Sequence, residues 1–329
     1  MSMLSGAPWL LAHKSMLAVN QPIKVSLYGN DYVLWKDAND DVHALPNVCP
    51  HMGAMLSEGW CEDTKNGTSS VVCPFHALEF DAAGCTVLPG SAKRTLPQME
   101  PLSLVVKGDF IWSYGGAQPA MPLPDILNEI ADTYDFIGAT GDTRVATPLL
   151  PMLLNMHDYN HQNGTHREMF RIEEVQFEKF VDEGHHSDAF IKMPKASPTR
   201  QEVLKNPTVL MLPKVIEAHL ENYFPSIVLF RGESVAGPIV QCHLFVPESP
   251  NQTRTYVLLF AKLKLPVFKL MKNALLKLVA TVIEQDAEIL TKLYQDQPQK
   301  IKLNNEVGMD WVRRNFESWP QVTQPNLSR

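Results

Sequence analysis

Several things are scarce in this chain of 329 residues. It has five cysteines, too few and odd in number for a disulfide framework, which excludes a disulfide-stapled secreted scaffold. Sparse thiols suit a reducing compartment, expected here to be the cytoplasm, where cysteines serve as core residues or metal ligands. No uncharged apolar stretch reaches the ~18 residues of a membrane span. Met1 to Ser15 lacks a basic stretch followed by an apolar run and a small-residue cleavage site, so no secretory leader is expected. Positive charge is in deficit: 29 Lys and Arg against 36 Asp and Glu leave a net −7, which speaks against nucleic-acid binding. Internal repeats and low-complexity tracts are also missing. What is there is ordinary: 45% hydrophobic, 20% charged and 9% aromatic residues, a globular composition with the length for a large core and two domains.

The first part reads as short strands. Pro22–Tyr28, Tyr32–Lys36 and Val42–Leu45 alternate apolar with polar residues, and Gly29-Asn30-Asp31 and Asp37–Asp41 between them are turn chemistry. Ser70–Cys73, Ala77–Phe80, Leu102–Val106 and Asp109–Tyr114 continue the pattern to Gly115-Gly116. An all-β domain over residues 1–116 follows, and the proline-rich Ala117–Pro124 reads as a linker. Beyond it, helices are predicted from Pro124-Asp125-Ile126, over Pro151–Asn160 (closed by Asn163-Gly164) and over Val267–Gln295. Strands are predicted at Phe170–Glu178, Val215–His219, Ile227–Phe230, Ile239–Val246 and Thr255–Phe260. Segment 185–212 reads as an irregular excursion or lid. Residues 117–329 are therefore an α+β domain.

Four residues carry chemistry in the first domain: Cys49-Pro50-His51 and Cys73-Pro74-Phe75-His76, with 21 residues between the two groups. Two thiolates and two imidazoles can hold zinc. Here each half supplies one of each, as C-x-H and C-x2-H. A Rieske [2Fe–2S] centre needs that inventory, with two thiolates on one iron and two imidazoles on the other. The prolines and Gly53 fit two tight loops that bring backbone N–H groups to the sulfurs. Cys61, Cys85 and Cys242 are left as small core residues.

In Cys49-Pro-His-Met-Gly-Ala54 and Cys73-Pro-Phe-His-Ala-Leu-Glu-Phe-Asp-Ala-Ala-Gly84 the chain resembles the Rieske family. Its spacer is longer than usual, with Glu62–Ser69 reading as a hairpin insertion. Met52, Ala77 and Leu78 stand where family members commonly have Arg, Gly and Trp. The extra cysteines of respiratory members have Ala54 and Phe75 as counterparts, so their disulfide cannot form. The resemblance thus implies the oxygenase or ferredoxin type, towards the lower end of the Rieske potential range.

A second donor set lies in Asn155-Met-His157-Asp158-Tyr-Asn-His161-Gln-Asn-Gly-Thr-His166. Asp158 and His161 are three apart, so a helix puts them on one face, and His166 folds back after Asn163-Gly164. Two imidazoles and a carboxylate with open positions make the facial triad of non-haem Fe(II) oxygenases. His157 and His161, at i and i+4, are a competing pair. The resemblance decides between them. Rieske oxygenases carry N-x-x-D-x-x-H-x4-H, which Asn155, Asp158, His161 and His166 match. It implies that His161 and His166 bind Fe(II). It also implies that Asp158 bridges to a Rieske histidine of a neighbouring subunit, with Asn155 and Asp158 in the catalytic machinery. The third ligand is then sought in the C-terminal helix, among Glu284, Asp286 and Glu288. Its apolar stripe runs Leu275, Val279, Val282, Ile289, Leu290 and Leu293, and a step of four from Val282 lands on Asp286. Glu284 and Glu288 share a polar face. A buried carboxylate needs a partner or a metal, and Glu284-Gln285-Asp286 is similar to the context of the family's ligand aspartate.

Weaker candidates are His185-His186, read as solvated loop, and Met152, Leu153 and Met156, which suit a substrate pocket or the core equally. The run Lys262, Lys264, Lys269, Lys272 and Lys277 suits an acidic ferredoxin, a membrane surface or a solvated face.

The resemblance implies a Rieske-type aromatic-ring-hydroxylating oxygenase component of α+β class. Its N-terminal all-β Rieske domain precedes a catalytic domain with an antiparallel sheet and flanking helices, helix-grip-like. Electrons from NAD(P)H would arrive through a flavin reductase or ferredoxin at Cys49, His51, Cys73 and His76. They would pass by His76 and Asp158 to the iron of His161, His166 and Asp286, where O2 oxidises a C–H bond of a small organic substrate. A head-to-tail homotrimer is implied, which closes by symmetry. The rival reading is a non-enzymatic electron-transfer or redox-sensing protein.

Overall fold

The computed structural model describes residues 4–63, 68–86, 94–205, 210, 213–234, 237–264, 272–294 and 297–320. They fall into two compact units. One runs to Leu123 and takes in Val246–Pro250; the other comprises Pro124–Phe245 and Asn251–Trp319.

Period-two alternation builds the first unit. Its strands are β1 (Trp9–His13), β2 (Ile23–Leu27), β3 (Asn30–Lys36), β4 (Val42–Pro46), β5 (Trp60–Asp63), β6 (Ser69–Val72), β7 (Glu79–Phe80), β8 (Val105–Lys107) and β9 (Phe110–Ser113). They pair as three small antiparallel sheets, ordered β1-β9-β8, β2-β3-β4 and β5-β6-β7. β1 was not foreseen: it is buried at every position, so it has no polar alternation to announce it. The expected hairpin insertion is β5 against β6, Trp60↔Val72 to Asp63↔Ser69, with residues 64–67 outside the described ones. Val33, Trp35, Leu45, Leu56, Val71, Phe80 and Met99 share one core, and Cys49 and Cys73 belong to it. Cys61 packs against it and Cys85 is buried.

The second unit contains α1 (Ile126–Thr133), β10 (Asp135–Ala139), β11 (Thr143–Val145), α2 (Leu149–His157), α3 (Arg167–Phe170), β12 (Gln176–Glu183), β13 (His186–Pro194), α4 (Arg200–Lys205), β14 (Val215–Tyr223), β15 (Ile227–Ser234), β16 (Gly237–Ser249), β17 (Gln252–Ala261), α5 (Lys272–Thr291) and α6 (Val307–Glu317). Eight strands form one sheet, ordered β10-β17-β16-β15-β14-β13-β12 with β11 beside β17. Cys242 is fully buried on β16. Among the described residues no helix is long and apolar enough to cross a membrane.

Five sequence expectations need correction. Segment 185–212 is not an excursion over its first part: β13 pairs with β14 from His186↔Tyr223 to Pro194↔Val215. Ser187, Ala189, Ile191 and Met193 point inward, and the charged residues between them masked a clean period of two. His185 and His186 are accordingly half-buried against Phe224 and Tyr223 rather than solvated. The strand expected at Phe170 begins at Gln176, because Arg167–Phe170 is a helical turn closed by Arg171 at φ +49°. The long helix covers Lys272–Thr291, with 267–271 and Gln295 outside the described residues. Its buried face is Val279, Ile283, Asp286 and Leu290, stepped 4, 3, 4; Ile289 and Leu293 are exposed.

The fifth correction concerns α2, which ends at His157 instead of Asn160. Asp158 has ψ 91°, and its Oδ1 accepts the Asn160 N–H at 3.0 Å. That side chain offers the backbone an alternative to the next helical bond. Asp158 and His161 therefore do not share a helix face. α6 was not foreseen at all. It lies against α2 through Gly308, where a Cβ would sit 2.5 Å from the Tyr159 hydroxyl and 3.0 Å from the His157 carbonyl. Only glycine permits that approach. Trp311 of α6 is 1% exposed, lies 5.4 Å from the His157 ring and donates its Nε1–H to Gly184 O at 2.8 Å.

Candidate metal centres and cavity

The two cysteine–histidine loops of the first unit follow one plan. Cys49 N–H donates to Ala54 O and Gly53 N–H to Cys49 O, both at 2.9 Å. Cys73 N–H donates to Leu78 O at 2.9 Å and Ala77 N–H to Cys73 O at 3.0 Å. The fourth residue after each cysteine turns left-handed: Gly53 at φ +75° and Ala77 at φ +52°. At the second loop an alanine bears a conformation that suits glycine. The thiols are buried and the imidazoles exposed. Cys49 and Cys73 are hydrogen-bonding neighbours, and the backbone N–H groups of His51 and Met52 point at the Cys49 sulfur. Burial pushes the Cys49 thiol up, with those amides opposing. His51 Nδ1 and His76 Nδ1 are 3.2 Å apart. Two sulfurs on the core side and two ring nitrogens converging outside fit the donor set of a [2Fe–2S] centre.

The second set forms where α2 gives way to a 3-10 turn at His161–Asn163. His161, His166 and Asp286 place one ligand atom each within 4.8 Å of one another. Asp286 Oδ1 lies 3.2 Å from His166 Nε2 and 3.6 Å from His161 Nε2. His166 is fully buried and Asp286 nearly so. His166 Nε2 and Asp286 Oδ1 find no hydrogen-bond partner. Such orphaned buried atoms cost about 1–3 kcal/mol each, which a divalent cation between them removes. Two imidazoles and a carboxylate fit Fe(II).

Neighbours fix these donors. His166 Nδ1 donates to Gln285 Oε1 at 2.8 Å, leaving the Nε2 lone pair towards Asp286. His161 Nδ1 hydrogen-bonds the Asp158 carbonyl, and the Gln162 amide lies 3.0 Å from His161 Nε2. Asn155 donates to the Asp286 carboxylate. Burial depresses His161, Asp286 partly offsetting it. Burial would also depress His166, but Asp286 and Gln285 outweigh it and raise it. Burial would raise Asp286, yet His166, His161 and Asn155 together hold it below the usual carboxylate range. His157 points elsewhere: its Nδ1 donates to Leu153 O at 2.7 Å, and burial pushes it down to about 4. Glu284 and Glu288 are exposed.

Beside this site lies a cavity of about 150 Å³. Met156 lines it, whereas Met152 and Leu153 are core. Sequence reading missed three residues of this region: Gln285, Gln241 and His243. The last two line the cavity from β16, and burial pushes His243 down to about 4. Their only signal was the period of two in a strand that otherwise reads as apolar. Of the lysine run, Lys262, Lys264, Lys272 and Lys277 are exposed, Lys262 sits over the Tyr134 ring at 5.0 Å, and Lys269 lies outside the described residues.

A β unit with paired thiols and imidazoles, followed by an antiparallel sheet bearing a His-His-carboxylate set, defines a Rieske-type redox metalloprotein. Residues 8–100 match the Rieske [2Fe-2S] domain. The chain is 28% identical over 171 residues to aminopyrrolnitrin oxygenase of Pseudomonas fluorescens, covering 49% of this chain and 46% of that protein. It is 28% identical over 240 residues to the oxygenase component of 3-ketosteroid-9-alpha-monooxygenase of Rhodococcus rhodochrous, covering 68% and 56%. The matches thus span about half the length of these curated relatives. The fold is similar to that of dicamba monooxygenase bound to dicamba, with a TM-score of 0.75 at 19% identity over 96% of this chain and 97% of that one. The chain thus carries a Rieske [2Fe-2S] domain, and over a longer stretch it is similar to oxygenase components that share it.

Proposed function

We propose that the protein is a terminal oxygenase component. It takes electrons that originate in NAD(P)H from a ferredoxin or flavin reductase, and uses O2 to oxidise a C–H bond of a small organic substrate. The product class is hydroxylation, dihydroxylation or oxidative demethylation. The observation that carries this reading is the convergence of His161, His166 and Asp286, two of them with orphaned buried atoms, on one wall of a largely apolar cavity. An electron carrier has no use for it. When bound, the [2Fe–2S] cluster supplies single electrons and the Fe(II) supplies O2 activation.

The chain's own residues then divide the work. Cys49, Cys73, His51 and His76 hold the cluster, and residues 1–116 are the electron-transfer domain. His161, His166 and Asp286 hold the iron in the catalytic domain, 117–329. Gln285 sets the His166 tautomer, the Asp158 carbonyl orients His161, and Asn155 steadies Asp286. At about 150 Å³ the cavity matches in size one that admits benzene. In a head-to-tail homotrimer, Asp158 is the link to the partner subunit's His76. The relative named for a 3-ketosteroid supports an apolar ring compound as the substrate.

Iron and sulfide counting tests this. Three irons and two acid-labile sulfides per chain are expected, and His166→Ala should keep two irons and both sulfides. Two irons in the wild-type protein would instead establish the electron carrier.

A further inference from the structure

Two polar side chains of one strand line the cavity without a part in holding the iron. Gln241 and His243 are two apart on β16, so the pleat directs both to the same face, and both line the cavity. His243 is 8% exposed, and across the sheet Gln241 stands opposite Phe230, which lines the cavity too. Among the described residues, neither the Gln241 amide nor the His243 ring meets a hydrogen-bond partner. Around them the wall is apolar, with Ile191, Met193 and Leu259. The polar ends of Gln241 and His243 open into the cavity, since neither is among the sealed atoms left without a partner, so a bound molecule can hydrogen-bond them in place of water.

The charges of the wall narrow the class of molecule. Apart from Asp286, its charged side chains are Asp158 and Glu233, and among the described residues no lysine or arginine lines it. Even with Fe(II) held by Asp286, Asp158 and Glu233 leave the wall net negative, so a carboxylate placed away from the iron meets like charge and no basic side chain. An amide or hydroxyl can use one donor and one acceptor from Gln241 and from a neutral imidazole.

We infer that this cavity takes an uncharged ring compound bearing a neutral group that both donates and accepts hydrogen bonds, of the amide or hydroxyl class, and that Gln241 and His243 anchor that group. The inference rests on the reading that the cavity is the reaction chamber beside the iron.

The test measures binding of three probes of one size, benzamide, benzoate and toluene, to the iron-loaded protein by calorimetry. Benzamide should bind about tenfold tighter than either of the others, the worth of about one net hydrogen bond. Gln241→Leu and His243→Leu should each remove most of that advantage over toluene, and His243→Gln, which keeps a donor and an acceptor, should retain it. The wild-type comparison decides the matter even if the leucine variants fail to fold. Benzoate binding as tightly as benzamide, equal binding of benzamide and toluene, no binding of any probe, or an unchanged preference in Gln241→Leu each overturn the inference. Iron content of the same samples separates the two readings. Two irons per chain would sink the oxygenase proposal, whereas three irons without a benzamide preference would sink only the substrate class.

Discussion

Replacing Gln285 by leucine removes one hydrogen bond and changes little in volume. The bond joins Gln285 Oε1 to His166 Nδ1 at 2.8 Å, and His166 is fully buried, so no water replaces the lost acceptor. A buried donor left unpaired costs about 1–3 kcal/mol. At ~1.4 kcal/mol per decade, Fe(II) should bind about 5- to 140-fold more weakly. Loss of a hydrogen-bond partner to a metal-bound histidine falls within that range in metal sites generally. Gln285→Glu keeps an acceptor and adds negative charge, so it should bind Fe(II) at least as tightly as the wild type. Anaerobic competition with a chromophoric chelator reads the affinity. The visible absorption of the cluster, whose donors lie between Cys49 and His76, serves as the internal control and should not change. An affinity of Gln285→Leu within twofold of wild type would refute the reasoning, as would loss of cluster and iron together.

Three further outcomes are expected. Ala77→Gly relieves a left-handed alanine, worth about 1–2 kcal/mol, against about 0.5–1 kcal/mol of added chain entropy; the guanidinium midpoint for cluster bleaching should rise slightly, and a fall would sink the idea. His157 is held neutral by burial down to about 4, from an ordinary value of 6.5. As pH falls through that window the unfolded chain binds a proton that the folded one refuses, so stability drops by up to about 3 kcal/mol. Urea midpoints measured from pH 7 to 4 should fall less steeply in His157→Gln, and parallel slopes would count against it. Asp158→Asn keeps an oxygen to accept the Asn160 N–H, so both metal centres should load normally while product formation coupled to O2 uptake largely disappears. Full coupled activity would end the proposed role of Asp158.

Much of the convergence of candidate donors was legible because they lie in two short stretches of unusual composition. Cys49, His51, Cys73 and His76 sit in tight loops whose Pro and Gly residues announce them, and His161 and His166 flank an Asn-Gly break. Asp286 was reachable because it falls on a helix face that is otherwise apolar, although the face itself is turned towards Ile283. Side-chain competition was harder to read. Asp158 ends α2 by capturing the Asn160 N–H, a choice that helical spacing cannot register. The strand β13 was hidden by His186, Asp188 and Lys192, whose charge overrode a period of two. α6 was missed because its burial depends on Gly308 meeting Tyr159, a contact that local periodicity does not contain. Gln241 and His243 acquire meaning only when β16 is laid against the cavity.

The two matched loops of the first unit bear on how the protein is made. Their donors are near in the chain, His51 and His76 being 25 residues apart, and the core that holds them is built from strands that leave the ribosome first. The proposed iron donors are distant: 119 residues separate His166 from the glutamine that orients it. Domains fold as units in the order of synthesis, and distant pairings form late. The proposed cluster site can thus form in a nascent chain that has not yet acquired Asp286, whereas the proposed iron site must wait for the finished helix. The order of synthesis therefore separates the two donor sets, the cysteine–histidine set being complete before Asp286 exists.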